Sequence, residues 1–271
     1  MSALSSVQSI QQSAYDCLMQ SNVAKKLDLT FQTRKMWESN QLSIDCKHPV
    51  TEQCIVGIPE NPKLVPVQQL PKRSVSSNIG HAALIHSFAH IEFNAINIAW
   101  DAVYRFPEMP KGYYEDWSNI AAEEAYHFQL LQNYLLKLGY DYGSFPAHSG
   151  LWDMVEQTSN DVMVRMALVP RVLEARGLDV TPEIIQRFRQ NDRDDAASIL
   201  EIIYQDEIGH VGVGTKWFVT ICEQRGLDPH EIFADLINEY AADKIRQPFN
   251  EKARKQAGFT QSEMDFLTNF T

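Results

Sequence analysis

From about residue 77 onward, apolar side chains recur every three or four positions, the rhythm of helices that bury one face. The pattern predicts four long helices, over about 77–104, 114–138, 151–176 and 194–224. At about 1.5 Å per residue each would span roughly 40 Å. Local signals mark their ends. Pro107 and Pro110 punctuate the first connection, and Gly139, Gly177 and Gly226 stand where C-terminal caps belong. Thr181-Pro182 reads as the start of a short capped piece, and Asp228-Pro229 as the start of a last helix. Residues 1 to about 40 read as an extra N-terminal helix, with Ala14, Cys17, Leu18 and Val23 as its apolar positions. Between 41 and 75 the periodicity stops, and Pro49, Pro59, Pro62, Pro66 and Pro71 crowd the segment. That stretch predicts an extended arm on the surface of the main domain. The expected fold class is therefore all-α. It comprises 1–75 as helix and arm, 76–246 as a four-helix bundle and 247–271 as a polar tail.

Charged residues interrupt the apolar stripes at corresponding places. Glu92 falls among Ile85, Ala89, Ile96, Ala99 and Val103. Glu124 and His127 share a face with Trp117, Ile120, Leu131, Tyr134 and Leu138. Glu174 follows Met163, Ala167 and Pro170, and Glu207 with His210 lies between Leu200, Ile203, Gly214 and Phe218. A lone carboxylate in a dry interior costs several kcal/mol unless paired, protonated or bound to metal. Four together would repel one another, and two divalent cations would remove the conflict. The Glu-x-x-His spacing in Glu124-Ala-Tyr-His127 and Glu207-Ile-Gly-His210 puts each pair on one helical face. Two such pairs plus single glutamates from two other helices make the ligand set of dimetal carboxylate bundles. Oxygen and imidazole donors without thiolate suit two iron ions, with manganese or zinc as possible occupants.

The spacing repeats. Glu92 to Glu124 is 32 residues and Glu174 to Glu207 is 33, while Glu124 to Glu207 and His127 to His210 are both 83. Two similar helix pairs in tandem predict a site of approximate two-fold symmetry. Glu123 and Asp206 precede the two Glu-x-x-His motifs. Since metal-bound imidazoles usually donate their second N–H to a carboxylate, Asp206 could hold His127 and Glu123 could hold His210.

Other residues with chemical potential carry blander readings. His86 and His90 are four apart, but His90 points away from Glu92 at about 100° per residue, so core or surface histidines are expected. Trp100, Tyr104, Tyr126, Tyr134 and Tyr204 at helical spacing read as packing rather than electron relays. Pro170, one turn before Glu174, should kink its helix or open a bulge. Gly209, Gly212 and Gly214 read as sites of close helix packing.

Composition narrows the classes. The chain has 271 residues, 44% hydrophobic, enough to bury a substantial core. Its net charge of -11 opposes phosphate backbones, which disfavours nucleic acid as a partner without excluding a local basic patch. Lys25, Lys26, Arg34, Lys35, Lys72 and Arg73 are the main basic clusters of the first third. Cys17, Cys46, Cys54 and Cys222 form no CxxC pair, so neither a disulfide framework nor a thiolate zinc site is indicated. The N-terminus shows no secretory signal, and no stretch approaches the roughly 20 apolar residues of a membrane span. The expected location is the cytoplasm.

The motifs EEAYH and DEIGH, with AHIEFNAI upstream and LVPRVLEARGLD between, resemble the ferritin-like superfamily. Within it, they look like an uncharacterised domain-of-unknown-function branch, from the N-terminal helix to about Phe249. More distantly they are similar to the ferritin-like tRNA hydroxylases, and acyl desaturases share the acidic-Glu-x-x-His form. The resemblance implies a ferritin-like four-helix bundle in which Glu124 and Glu207 bridge two iron ions. It also implies an oxidoreductase that activates oxygen to hydroxylate or desaturate a small organic substrate, with an electron donor as partner. A ferroxidase or iron-handling protein and a tRNA-modifying hydroxylase are the alternatives. A homo-oligomer is possible.

Overall fold

The computed structural model describes residues 8–51, 53 and 56–270. Every regular element among them is helical; the extended backbone contributes two isolated bridges, Ser9 with Ser43 and Leu64 with Ala147. The chain divides into two compact units, Met1–Trp152 and Asp153–Thr271.

In the first unit the N-terminal region forms two helices rather than one, α1 (Ile10–Met19) and α2 (Val23–Glu38). Each begins at a side-chain cap: Ser9 accepts from the Gln12 amide and Asn22 from the Lys25 amide. The second cap is what separates the helices. Lys26 ties α1 and α2 to the next helix. Its ammonium is fully buried and donates to the Cys17 and Leu18 carbonyls at 2.9 Å and to Asn97 Oδ1 at 2.6 Å. Three hydrogen bonds to oxygen, two of them at the negative end of α1, replace the water that burial removes.

The two long helices of this unit are α3 (Asn78–Arg105) and α4 (Lys111–Lys137). A five-residue connection at 106–110 folds them into an antiparallel hairpin. Ala89, Ala99, Ala121 and Ala125 are fully buried, so small side chains let the two backbones approach. Gly139 closes α4 with φ +83°, as a cap in the left-handed region requires. Among its described residues the proline-rich segment has no regular element beyond the single turn Val67–Gln69. It is held by backbone bonds from Gly57 to Leu18, Val65 to Ala147 and Ala147 to Lys63.

The division between units falls inside α5 (Gly150–Gln157). The second unit continues through α6 (Val162–Leu168), a π-helical stretch (Val169–Glu174), α7 (Ala175–Arg189) and α8 (Asp194–Gln224). Three short helices follow: α9 (Pro229–Leu236), α10 (Glu251–Gln256) and α11 (Gln261–Asn269). The third predicted helix, over 151–176, is thus interrupted. Asp161 accepts from the Met163 amide at 2.7 Å and starts a new helix at Val162. Nor does Gly177 stop the chain, because α7 runs through it and through Pro182. Pro182 has no N–H to offer the Leu178 carbonyl one turn earlier, and Asn250 Nδ2 supplies that hydrogen bond at 3.1 Å.

Pro170 opens the π-helical stretch, as a proline that breaks the regular ladder should. Its ring lies directly against Gly214 of α8, where a Cβ would overlap it. Next to it, Arg171 is fully buried among Phe218, Phe233 and Phe259, at 4.7, 4.0 and 4.6 Å from their centroids. The guanidinium also pairs with Glu263 of α11 at 2.5 Å.

These contacts separate two glycines. Gly214→Ala is expected to lose about 1–3 kcal/mol by forcing a methyl group into the Pro170 ring. Gly177→Ala, where the Cβ position is open, is expected to gain about 0.5–1 kcal/mol of helix propensity. Urea unfolding of the two variants measures both signs, and equal shifts would contradict the packing described.

Candidate metal centre

The hairpin connection determines what α3 and α4 bring together. Glu92 lies thirteen residues before Arg105 at the end of α3, and Glu124 thirteen after Lys111 at the start of α4. Equal distances from a tight antiparallel turn place both at one level. His127 follows one helical turn after Glu124 on the same face. All three are buried, with 2%, 1% and 0% of their surface exposed. His127 Nδ1 lies 3.3 Å from Glu124 Oε2 and 3.5 Å from Glu92 Oε2. The three residues offer donor atoms within 4.8 Å of one another. Donors bound at about 2.0–2.2 Å to one ion stand at most about 4.4 Å apart, so small rotations bring these three around a cation.

Two carboxylates and the His127 imidazole meet in a dry interior. Burial, and then the negative charge of Glu124, push the Glu92 carboxyl well above the usual carboxylate range. For His127 burial opposes the charged form, but the Glu124 and Glu92 carboxylates outweigh it and raise the imidazole to about 11. Nδ1 therefore carries a proton shared towards Glu124. Among the described residues Glu92 Oε2 has no hydrogen-bond partner. An acceptor left bare beside a second carboxylate is what a bound cation would satisfy.

In the second unit, α8 carries Glu207 and His210 one turn apart, with His210 Nδ1 3.8 Å from Glu207 Oε1. His210 is 2% exposed and the Glu207 side chain 14%. Glu174 is half-buried and ends the π-helical stretch. Glu123 and Asp206 are half-buried, and Glu123 Oε1 accepts from Asn119 Nδ2 at 2.9 Å.

Of the remaining polar candidates Tyr126 is 46% exposed and not packed as expected, while the others serve packing. His86 Nε2 accepts from the Gly143 amide at 2.9 Å, and His90 bonds Tyr142 and the His148 carbonyl at 2.8 and 3.1 Å. Burial holds both imidazoles down at about 4, so they are neutral core histidines. Trp100 donates to Thr30, Tyr134 pairs with His81, and Tyr204 accepts from Asn250. Sequence reasoning missed Arg171, whose signal was a cation one turn before Glu174 on an otherwise apolar face. It also missed Tyr142, which sits in a connecting loop without periodicity. Cys54 lies outside the described residues, while Cys17, Cys46 and Cys222 are free thiols. No helix among the described residues is long and apolar enough to cross a membrane.

A family described as "Protein of unknown function (DUF455)" matches residues 19–265. An "Uncharacterized protein" of Haemophilus influenzae is 45% identical over 225 residues, covering 80% of this chain and 78% of its own. No solved structure matches the chain.

The raised positions of Glu92 and His127 make a prediction of definite sign. A cation must displace the His127 proton, and burial favours the protonated form of Glu92 as well, so metal affinity should rise with pH towards about 11. At pH 7 the metal-free protein should release protons as it takes up Zn²⁺. Calorimetric titration in two buffers of different ionisation enthalpy counts them; binding without proton release would remove Glu92 and His127 from the ligand set.

Proposed function

We propose, since the chain belongs to the DUF455 family, a function read from its side chains: a ferritin-like dimetal carboxylate protein with iron as the first candidate. The observation that carries the reading is the buried trio of Glu92, Glu124 and His127, with two carboxylates side by side and Glu92 Oε2 without a hydrogen-bond partner among the described residues. Glu174, Glu207 and His210 repeat that donor set at near-equal spacing. The full ligand set we propose is these six residues, holding two ions. The donors are oxygen and imidazole, which fits iron or manganese better than a structural zinc.

A pair of bound irons would supply oxygen-dependent oxidation, the reaction class we assign, acting on a small organic substrate with an external electron donor. The chain's own contribution is different. α3 and α4 keep bulk water from the carboxylates, and the level pairing of Glu92 with Glu124 fixes two acceptors before any ion arrives. His127 supplies the neutral donor once its proton leaves. Glu123 and Asp206 are proposed to orient the imidazoles. The free thiols accord with a cytoplasmic setting.

Two features of the basic clusters bear on the tRNA alternative. Lys26 is buried and fully bonded, and Arg34 is engaged by Glu38 and Glu115. Fewer cations are left to meet a phosphate backbone than the sequence suggested.

Anaerobic reconstitution with ferrous iron, followed by metal counting and oxygen-uptake spectroscopy, tests the proposal. Two irons per chain and an absorbing transient on oxygenation are expected. Glu124→Ala should lower iron content sharply; an unchanged stoichiometry in that variant would overturn the ligand assignment. Asp206→Ala should weaken metal binding about 10–100-fold while leaving thermal stability of the metal-free protein close to wild type. Unaltered affinity would return Asp206 to an ordinary helix-surface charge.

A further inference from the structure

On α3, His90, Asn94 and Asn97 fall within one narrow arc, and Glu92 points to the other side at about 100° per residue. That arc faces a cavity of about 50 Å³. Pro59, Pro62 and Leu64 of the proline-rich arm form one wall, Phe93 and Trp152 another. None of the described residues lining it carries a formal charge. By volume it has room for roughly four waters, or for a compact organic molecule of about six non-hydrogen atoms.

Two amides in this wall have their orientation set by their neighbours. Lys26 can only donate, so the atom of Asn97 that meets it at 2.6 Å must be the oxygen. Asn97 Nδ2 is thereby turned away from Lys26, and Asn97 lines the cavity while being only 2% exposed. The His90 carbonyl can only accept, so the atom of Asn94 at 2.7 Å from it must be Nδ2. Asn94 Oδ1 is left facing away from its own helix backbone. Asn97 Nδ2 and Asn94 Oδ1, the amide atoms these bonds leave over, belong to residues one turn apart that both line the cavity among aromatic and proline surfaces.

We propose that this cavity is a binding site for a small neutral molecule with a lactam or primary-amide edge. Its carbonyl would accept from Asn97 Nδ2 and its N–H would donate to Asn94 Oδ1. Its body would lie between Phe93, Trp152 and the prolines of the arm. The site is separate from the proposed metal centre, and nothing in it depends on a bound ion. The arm acts as its cover, held closed by the Val65–Ala147 and Gly57–Leu18 backbone bonds.

Saturation-transfer NMR on the full-length, metal-stripped protein tests this with 2-pyrrolidinone as the probe. Cyclopentanone and N-methyl-2-pyrrolidinone supply the same body without the N–H. Saturable binding of 2-pyrrolidinone is expected, with both analogues at least tenfold weaker. Asn97→Asp keeps an oxygen for Lys26 but removes the amide hydrogens, and should weaken the lactam about tenfold without unfolding the chain. Asn94→Leu removes the acceptor and should act in the same direction. The proposal fails if the ketone binds as well as the lactam, if Asn97→Asp binds as wild type, or if folded wild-type protein shows no saturable lactam binding.

Discussion

Glu92 and Glu124 stand in one dry layer between two helices, with the His127 imidazole beside both. Two carboxylates excluded from water cannot both ionise without a compensating cation. Everything near them has the form that conflict requires. Alanines draw α3 and α4 together, which removes water and raises the cost of the charge. His127 takes up a proton that an isolated buried histidine would lose. Burial and the charge of Glu124 push the Glu92 carboxyl well above the usual carboxylate range. The metal-free state is thus an arrangement in which protons occupy the place of a stronger positive charge.

The contrast with the other buried charges gives this reading its weight. Lys26 is closed by three oxygens. Arg105 is forked onto Asp101 of its own helix at 2.8–3.1 Å. Arg165 donates to Thr158 and to the Val155 carbonyl, and Arg254 is paired with Asp179. Arg171 has Glu263 and three phenylalanine faces. Each of these buried charges meets opposite charge or a dipole that offsets part of its lost hydration, although among the described residues Arg171 Nε and Nη1 have no hydrogen-bond partner. At Glu92 and Glu124 two like charges meet instead. A structural role would have been met by one carboxylate and one cation, as at Arg254 and Asp179.

What the sequence made legible follows the same physics. α3, α4 and α8 were readable because one long apolar stripe and strong end signals agree, and Gly139 and Gly226 behave as caps. The carboxylates were readable because an ionisable residue inside a stripe violates the pattern that surrounds it. The third predicted helix was not readable in detail. Nothing in MVEQTSNDV marks a break except the capping power of Asp161, which only the folded chain reveals. Gly177 and Pro182 carry local stop signals that tertiary structure overrides. Asn250, seventy residues later, satisfies the carbonyl that Pro182 strands. The cavity was invisible for a similar reason: its donor and acceptor are ordinary asparagines until Lys26 and the His90 carbonyl orient them.

Pro170 shows how such long-range contacts reach the candidate ligands. A proline in a helix frees a carbonyl and pushes the ring outward, and the chain absorbs both by widening into a π-helical stretch. A widened turn is soft unless something holds it. Here the ring is seated on the bare backbone of Gly214, so α8 acts as a stop. Arg171, the next residue, is clamped to Glu263 near the C-terminus. Glu174 is the last residue of that same widened turn. Its position is therefore set by a proline, a glycine and an ion pair to α11. Glu92, by contrast, is placed by regular helix and a short connection. If the two glutamates are counterparts, as their spacing implies, the second is held by contacts specific to its own unit, and the symmetry of the motifs is not carried into the backbone.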